Sequence, residues 1–135
     1  MQFRLTKTEK TLLLDQLRNA KGIGQALSDN VQAPPGVNIV EAIALVVRNL
    51  ARRLRSKRTI DTTKLTHLEH LIVGAAIHNV GYLFERLWDR AMRRRITPAK
   101  YYALARVAMS LDGKAHMAGI TSNMRSIRPL ERRRS

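Results

Sequence analysis

The apolar positions of this chain recur at helical spacing almost from end to end. Leu12, Leu13, Leu17 and Ala20 return at three- and four-residue intervals, the period of one helix face. Thr6 and Glu9 precede them at capping-box spacing, in which hydroxyl and carboxylate each satisfy the other's backbone N–H. The pattern predicts a first helix from about Thr8 to Lys21, stopped by Gly22 and Gly24. "IGQALSDN" adds a turn or two, and the paired prolines of "QAPPG" end it, because neither can continue a helix.

Asn38 and Glu41 repeat the capping spacing and open a predicted helix from Ile39 to Arg58. Ile43, Val46, Val47, Leu50 and Leu54 share its apolar face; at about 100° per residue, Arg48, Arg52 and Arg55 fall nearly opposite. Arg53 and Lys57 lie on one flank and Arg58 on the other. "TIDTTK" is a short connector. Thr66 and Glu69 form a third capping pair before a long helix of about thirty residues, ending near Arg95. Gly74 and Gly81 lie inside it, each costing about 1 kcal/mol against Ala, which marks a bend or a close helix–helix approach. "LIVGAAIHNVGYLF" is apolar nearly all round, the mark of a buried helix. So much apolar surface implies a core shared between subunits. Thr97 and Pro98, a cap followed by proline at the first helical position, open the last helix through "AKYYALARVAMSL". It ends at Asp112-Gly113 or continues to about Ile120.

No segment alternates as a strand, and the stretch from Thr121 to Ser135 is polar and arginine-rich with little to pack. The expected fold is all-α: four main helices with a long central one, an extended helical assembly subunit with a basic C-terminal tail. Residues 1–37 are an N-terminal helix and Gly/Pro linker, 38–121 a helical core and 122–135 the tail.

Composition turns this helical pattern toward a partner. The 135 residues suit one domain, and an apolar share of 44% excludes a disordered polyelectrolyte. The net charge is +15, with 18 Arg against 7 Lys; the planar guanidinium fork grips phosphate oxygens bidentately. Absence of cysteine excludes disulfides, thiolate catalysis and cysteine-based zinc sites. The opening ten residues hold no apolar signal core, and no apolar run nears the roughly 18 residues of a membrane span. The expectation is a soluble, intracellularly made protein with no transmembrane segment.

Sixteen of the 25 basic residues form three clusters. The first is Arg48, Arg52, Arg53, Arg55, Lys57 and Arg58. The second is Arg86, Arg90, Arg93, Arg94 and Arg95. The third is Arg125, Arg128, Arg132, Arg133 and Arg134. A helix C-terminus favours cations by about 0.3–1 kcal/mol each, enough for two or three per helix. Six and five exceed that, since like charges at i,i+4 repel. All sixteen are therefore candidate nucleic-acid contacts. If the two long helices are antiparallel, the first two clusters lie about 45 Å apart, which suits a long polymer better than a small phosphate ligand.

The aromatic residues are few, and Tyr82, Phe84 and Trp88 fall within the apolar helix. Single-strand and RNA-loop binders present aromatics as stacking platforms, so duplex backbone binding fits better, with RNA the less favoured polymer. Fifteen excess charges offset about 7–8 base pairs of duplex, a ratio suited to coating.

Other chemistry stays at background. His67 and His70 are spaced to share a metal but lack a third ligand, and His78 reads as a hydrogen-bonded core or interface histidine. No Ser–His–acid arrangement stands out, and "GIG" lacks the rest of a phosphate loop. No enzyme, metal, cofactor or small-molecule substrate is expected. "TLLLDQLRNAKGIGQALSDN" has helix-turn-helix form, but its second half carries no base-reading Arg or Lys.

The whole-chain helix pattern, with "RNLARRLRSKR", "RAMRRR" and "RSIRPLERRRS", resembles the small helical major capsid proteins of filamentous and rod-shaped archaeal DNA viruses, over Asn38 to Ser135. The resemblance implies a subunit that pairs with an identical or paralogous copy inside a larger assembly. It also implies helices that clasp the genome and hold it A-like, and a place in the virion after synthesis in the host cytoplasm. The alternatives are a ribosomal or other RNA-associated protein, or a helix-turn-helix regulator, in the cytoplasm or nucleoid.

Overall fold

Three of the four helix starts read from the sequence are built by the side chains that signal them. In the computed structural model, which describes residues 1–125 and 127–130, Thr6 and Glu9 form the full capping box of α1 (Lys7–Leu17), and Thr66 and Glu69 that of α4 (His67–Met92). Thr97 caps α5 (Pro98–Met117) through the Lys100 amide at 3.2 Å. The fourth start, α3 (Ile39–Arg55), keeps only half of its pair: Asn38 accepts from the Glu41 amide at 3.3 Å, while the Glu41 carboxylate reaches Lys21 at 3.4 Å.

The glycines after α1 do not stop a helix; they belong to a separate one, α2 (Ala20–Leu27). Asn19 breaks the chain there by accepting from the Gly22 amide at 3.2 Å, the competition with helical bonding that makes Asn a cap. Gly24 then lets α2 lie against α3, since a Cβ there would meet the Val40 carbonyl oxygen at 2.6 Å. The described residues thus form five α-helices rather than four main ones, and the fold is mostly helical.

Two strands were also unforeseen. Residues Gln2–Arg4 (β1) pair antiparallel with Thr59–Asp61 (β2), with Phe3 opposite Ile60, both buried. Three residues are too few for alternation to show. The pairing staples the N-terminus to the connector between α3 and α4, and Leu5 N–H extends it to the Arg58 carbonyl at 2.6 Å. It also ends α3 at Arg55, three residues earlier than Arg58.

Lys114 on α5 ties this corner to α1. Its ammonium donates to Glu9 Oε1 at 2.7 Å and to the Arg4 carbonyl at 2.9 Å. Burial alone pushes the Glu9 carboxyl upward; the Lys114 ammonium and the Thr6 amide outweigh it and hold the group below its ordinary value. A carboxylate depressed in the folded state contributes stability above its unfolded pKa and loses that contribution as pH falls through the folded one. Thermal unfolding measured across the acid range should therefore show a loss of stability below the ordinary carboxylate range. Glu9→Gln should flatten that part of the curve while lowering stability at neutral pH; an unchanged acid slope would contradict this coupling.

The C-terminal stretch corrects a further expectation. Far from having little to pack, residues 120–125 and 127–130 run as a strap over α4 and α5. Gly119, at φ 87°, closes α5 with the Ile120 amide bonded back to Ala115 at 2.9 Å, the Schellman arrangement that favours glycine. Ile120 and Ser122 are then buried, and Met124, Ile127 and Leu130 pack against the core. The two glycines of α4 make room for this strap rather than for another helix. A Cβ on Gly74 would stand 2.4 Å from the Thr121 carbonyl oxygen, and one on Gly81 3.1 Å from the Arg125 nitrogen.

His78, half-buried on the same face, places Nδ1 3.1 and 2.9 Å from the carbonyl oxygens of Ser122 and Asn123. Both are acceptors, so Nδ1 carries the proton. Ser122 donates its hydroxyl to Asp112. The apolar surface of α4 is thus packed on within the chain by α1, α2, α5 and the strap. Among the described residues, no helix is long and apolar enough to cross a membrane.

Candidate nucleic-acid interface

The arginine stripe on α3 is built by the burial of the opposite face. Ile43, Ala44, Val47, Leu50 and Leu54 are buried, which leaves Arg48, Arg52 and Arg55 exposed at i, i+4 and i+7. These three do not stand on an open surface. With Arg18, the residue that caps the C-terminus of α1, they line a cleft of about 350 Å³ that Leu14, Leu17 and Ala51 also line. Arg18 reaches the exposed Asp15 at 3.7 Å; the three α3 arginines have no acid partner among the described residues. Four guanidinium groups on a partly apolar cleft concentrate positive potential there, because low-dielectric walls focus the field.

Arg18 was invisible to the sequence reading. It is isolated in the chain, and only the packing of α1 beside α3 brings it to the stripe. Arg4, Lys7, Arg58 and Lys114 line a second basic hollow of about 350 Å³ at the start of α1. β1 carries Arg4 to it, and Arg58, just before β2, is held there by the Leu5 amide. Of the remaining residues of the first cluster, Lys57 is exposed and Arg53 is tied down. Arg53 pairs with the buried carboxylate of Glu69, whose other oxygen closes the α4 capping box at 3.0 Å. Its first duty is structural: it neutralises a buried charge at the N-terminus of α4.

That ion pair also places the C-terminal end of α3 beside the first turn of α4. The second cluster lies at the far end of α4, which has 26 residues and so spans about 39 Å, somewhat less than the 45 Å expected. There Arg86 and Arg90 are exposed one turn apart, without an acid partner among the described residues. Arg93 pairs with Asp89 at 3.4 Å. The helix stops at Met92, short of Arg95, because Arg94 takes φ 60° and turns the chain toward Thr97 and Pro98.

The two described members of the third cluster, Arg125 and Arg128, are held against the body. Arg125 pairs with Glu85, which raises its pKa further, and its guanidinium carbon lies 4.6 Å from the Tyr82 ring centre. Arg128 lies 5.0 Å from the centre of the Trp88 ring. Arg132, Arg133 and Arg134 lie outside the described residues. The strap occupies the aromatic residues as well. Tyr101 is buried and donates to the Arg128 carbonyl at 2.6 Å, the Tyr102 hydroxyl accepts from the Leu130 amide at 2.7 Å, and the Trp88 indole N–H reaches the Pro129 carbonyl at 3.4 Å.

The histidines are similarly engaged or isolated: His70 Nε2 bonds the Thr62 carbonyl at 3.0 Å, and no group of three His, Cys, Asp or Glu among the described residues could hold a metal.

The fold and its surface define a helical protein with a cationic cleft at one end of its longest helix and a second arginine group at the other. No protein-family model, curated protein or solved structure matches the chain.

Proposed function

We propose that this protein coats and packages double-stranded DNA through arginine–phosphate contacts, as a capsid or nucleoprotein subunit of a larger helical assembly. The observation that carries the reading is the α1–α3 cleft, where Arg18, Arg48, Arg52 and Arg55 converge. A polyanion relieves the mutual repulsion of such a group, and a polymer is long enough to reach Arg86 and Arg90 in the last turns of α4 as well. Contacts of this kind position a duplex without reading it.

Engagement of Tyr101, Tyr102 and Trp88 by the strap favours a duplex backbone over stacked single strands, for which free aromatic faces are needed. The helix-turn-helix alternative loses support from α2. Its residues Ala20, Ile23, Gly24 and Leu27 are buried, and Lys21, its single cation, pairs with Glu41.

Competition between random duplex DNA and structured RNA, followed by imaging of the complex, tests the proposal. Preference for the duplex and regular DNA-dependent particles are expected. Preference for structured RNA, or discrete complexes confined to one selected sequence, would overturn it.

A further inference from the structure

A cavity of about 920 Å³ lies away from the α3 cleft, at the elbow where α4 turns into α5. That size falls within the range of small-molecule sites, about 300–1,000 Å³. Ala91, Met92, Ile96, Tyr102 and Leu130 give it an apolar lining. Arg94, Arg95 and Lys100 also line it, and no acid does among the described residues. Such a site rewards a ligand with two unlike ends, since an apolar body fills the floor while an anionic head meets the cations.

The backbone supplies a second, independent observation. Arg94 sits at φ 60° just past the end of α4, the left-handed position that helices ordinarily give to glycine. The turn itself would be easier without a side chain. Strain of this sort collects at ligand sites, and here it puts a guanidinium on the wall of the cavity.

We propose that the α4–α5 elbow binds an amphipathic anion: an alkyl or acyl chain bearing a phosphate or carboxylate head. The chain lies along Met92, Ile96 and Leu130, and the head is held by Arg94, Arg95 and Lys100. This site is separate from the α1–α3 cleft and does not depend on the DNA-coating reading.

Calorimetry on the full chain with dodecyl phosphate, kept monomeric and at high salt, tests it. One molecule should bind per chain. Inorganic phosphate, which lacks the chain, and dodecyl maltoside, which lacks the charge, should each bind at least about tenfold more weakly. Arg94→Gly should weaken dodecyl phosphate by about tenfold while raising the melting temperature of the free protein, so lost binding cannot be lost folding. Arg48→Gln/Arg52→Gln/Arg55→Gln should leave this binding unchanged, whatever it does to DNA.

Equal binding of inorganic phosphate or of dodecyl maltoside would overturn the proposal. So would many molecules per chain, or an Arg94→Gly variant that binds as well as the native protein. Displacement by a short duplex in the α3 triple variant would assign the elbow to the nucleic acid and also defeat it. Vesicles of anionic phospholipid distinguish the source of the ligand. Co-sedimentation that dodecyl phosphate abolishes points to a bilayer lipid, and its absence beside calorimetric binding points to a soluble amphiphile.

Discussion

Replacing Arg48, Arg52 and Arg55 together by glutamine should weaken binding to random duplex DNA by about 10²–10³-fold at 0.1 M salt. Each phosphate contact contributes about 0.9 to the slope of log K against log salt. Three lost contacts therefore lower it by about 2.7, and over the decade between 1 M and 0.1 M salt that slope becomes the stated loss. The fold should not suffer. All three side chains are exposed, and Arg48 and Arg52 stand at i,i+4, where like charges cost a few tenths of a kcal/mol. The free variant should melt at or slightly above the native temperature. Arg53→Gln should behave differently, since it strands the buried Glu69 carboxylate: stability falls first and DNA affinity less. A triple variant that keeps native affinity would remove the cleft from the account.

The second large effect concerns the strap. Gly74→Ala should destabilise the protein by up to about 2 kcal/mol. The new methyl stands 2.4 Å from the Thr121 carbonyl oxygen, and overpacking against backbone costs about 1–3 kcal/mol, from which a helix-propensity gain of about 1 kcal/mol is subtracted. Chemical denaturation measures the loss, and hydrogen exchange should place it in residues 120–125, which detach from α4. Gly113→Ala provides the opposite sign. A Cβ there meets nothing within 4 Å, so the same substitution in α5 should stabilise by up to about 1 kcal/mol. If both substitutions stabilise, the strap does not pack on Gly74 as described.

The helices were legible because their signals are local. Thr6 with Glu9, Thr66 with Glu69 and Thr97 with Pro98 bond to their own neighbours, so the spacing of a few residues suffices to find them. The face of α3 was legible for the same reason, and its arginines lie where helical periodicity puts them. What escaped depends on partners distant in the chain. Gly74 and Gly81 show in the sequence only as costs; the strap that explains them begins about forty residues later, at Ile120. A trace of it exists in "ITSNM", where Ile120, Ser122 and Met124 alternate inward, but the polar and basic residues that follow mask these three inward positions.

β1 and β2 are too short to carry a period, and Arg18 joins the cleft only through packing of α1 beside α3. Asn19 misled in a different way. Gly22 and Gly24 look like a helix stop, yet the side chain of Asn19 turns the first into a helix start. The arginine clusters were legible as composition but not as availability. Arg53, Arg93 and Arg125 have acid partners, whereas Arg48, Arg52, Arg55, Arg86 and Arg90 have none among the described residues.

The central claim, that the exposed arginines grip a duplex backbone without reading its bases, is tested most directly by titrating salt against binding to duplexes of random sequence. The account predicts a linear fall of log K with log salt, a slope of about −4 or steeper from the five arginines without acid partners, and nearly equal affinities across sequences. Binding that barely changes with salt, or that demands one sequence, would contradict it.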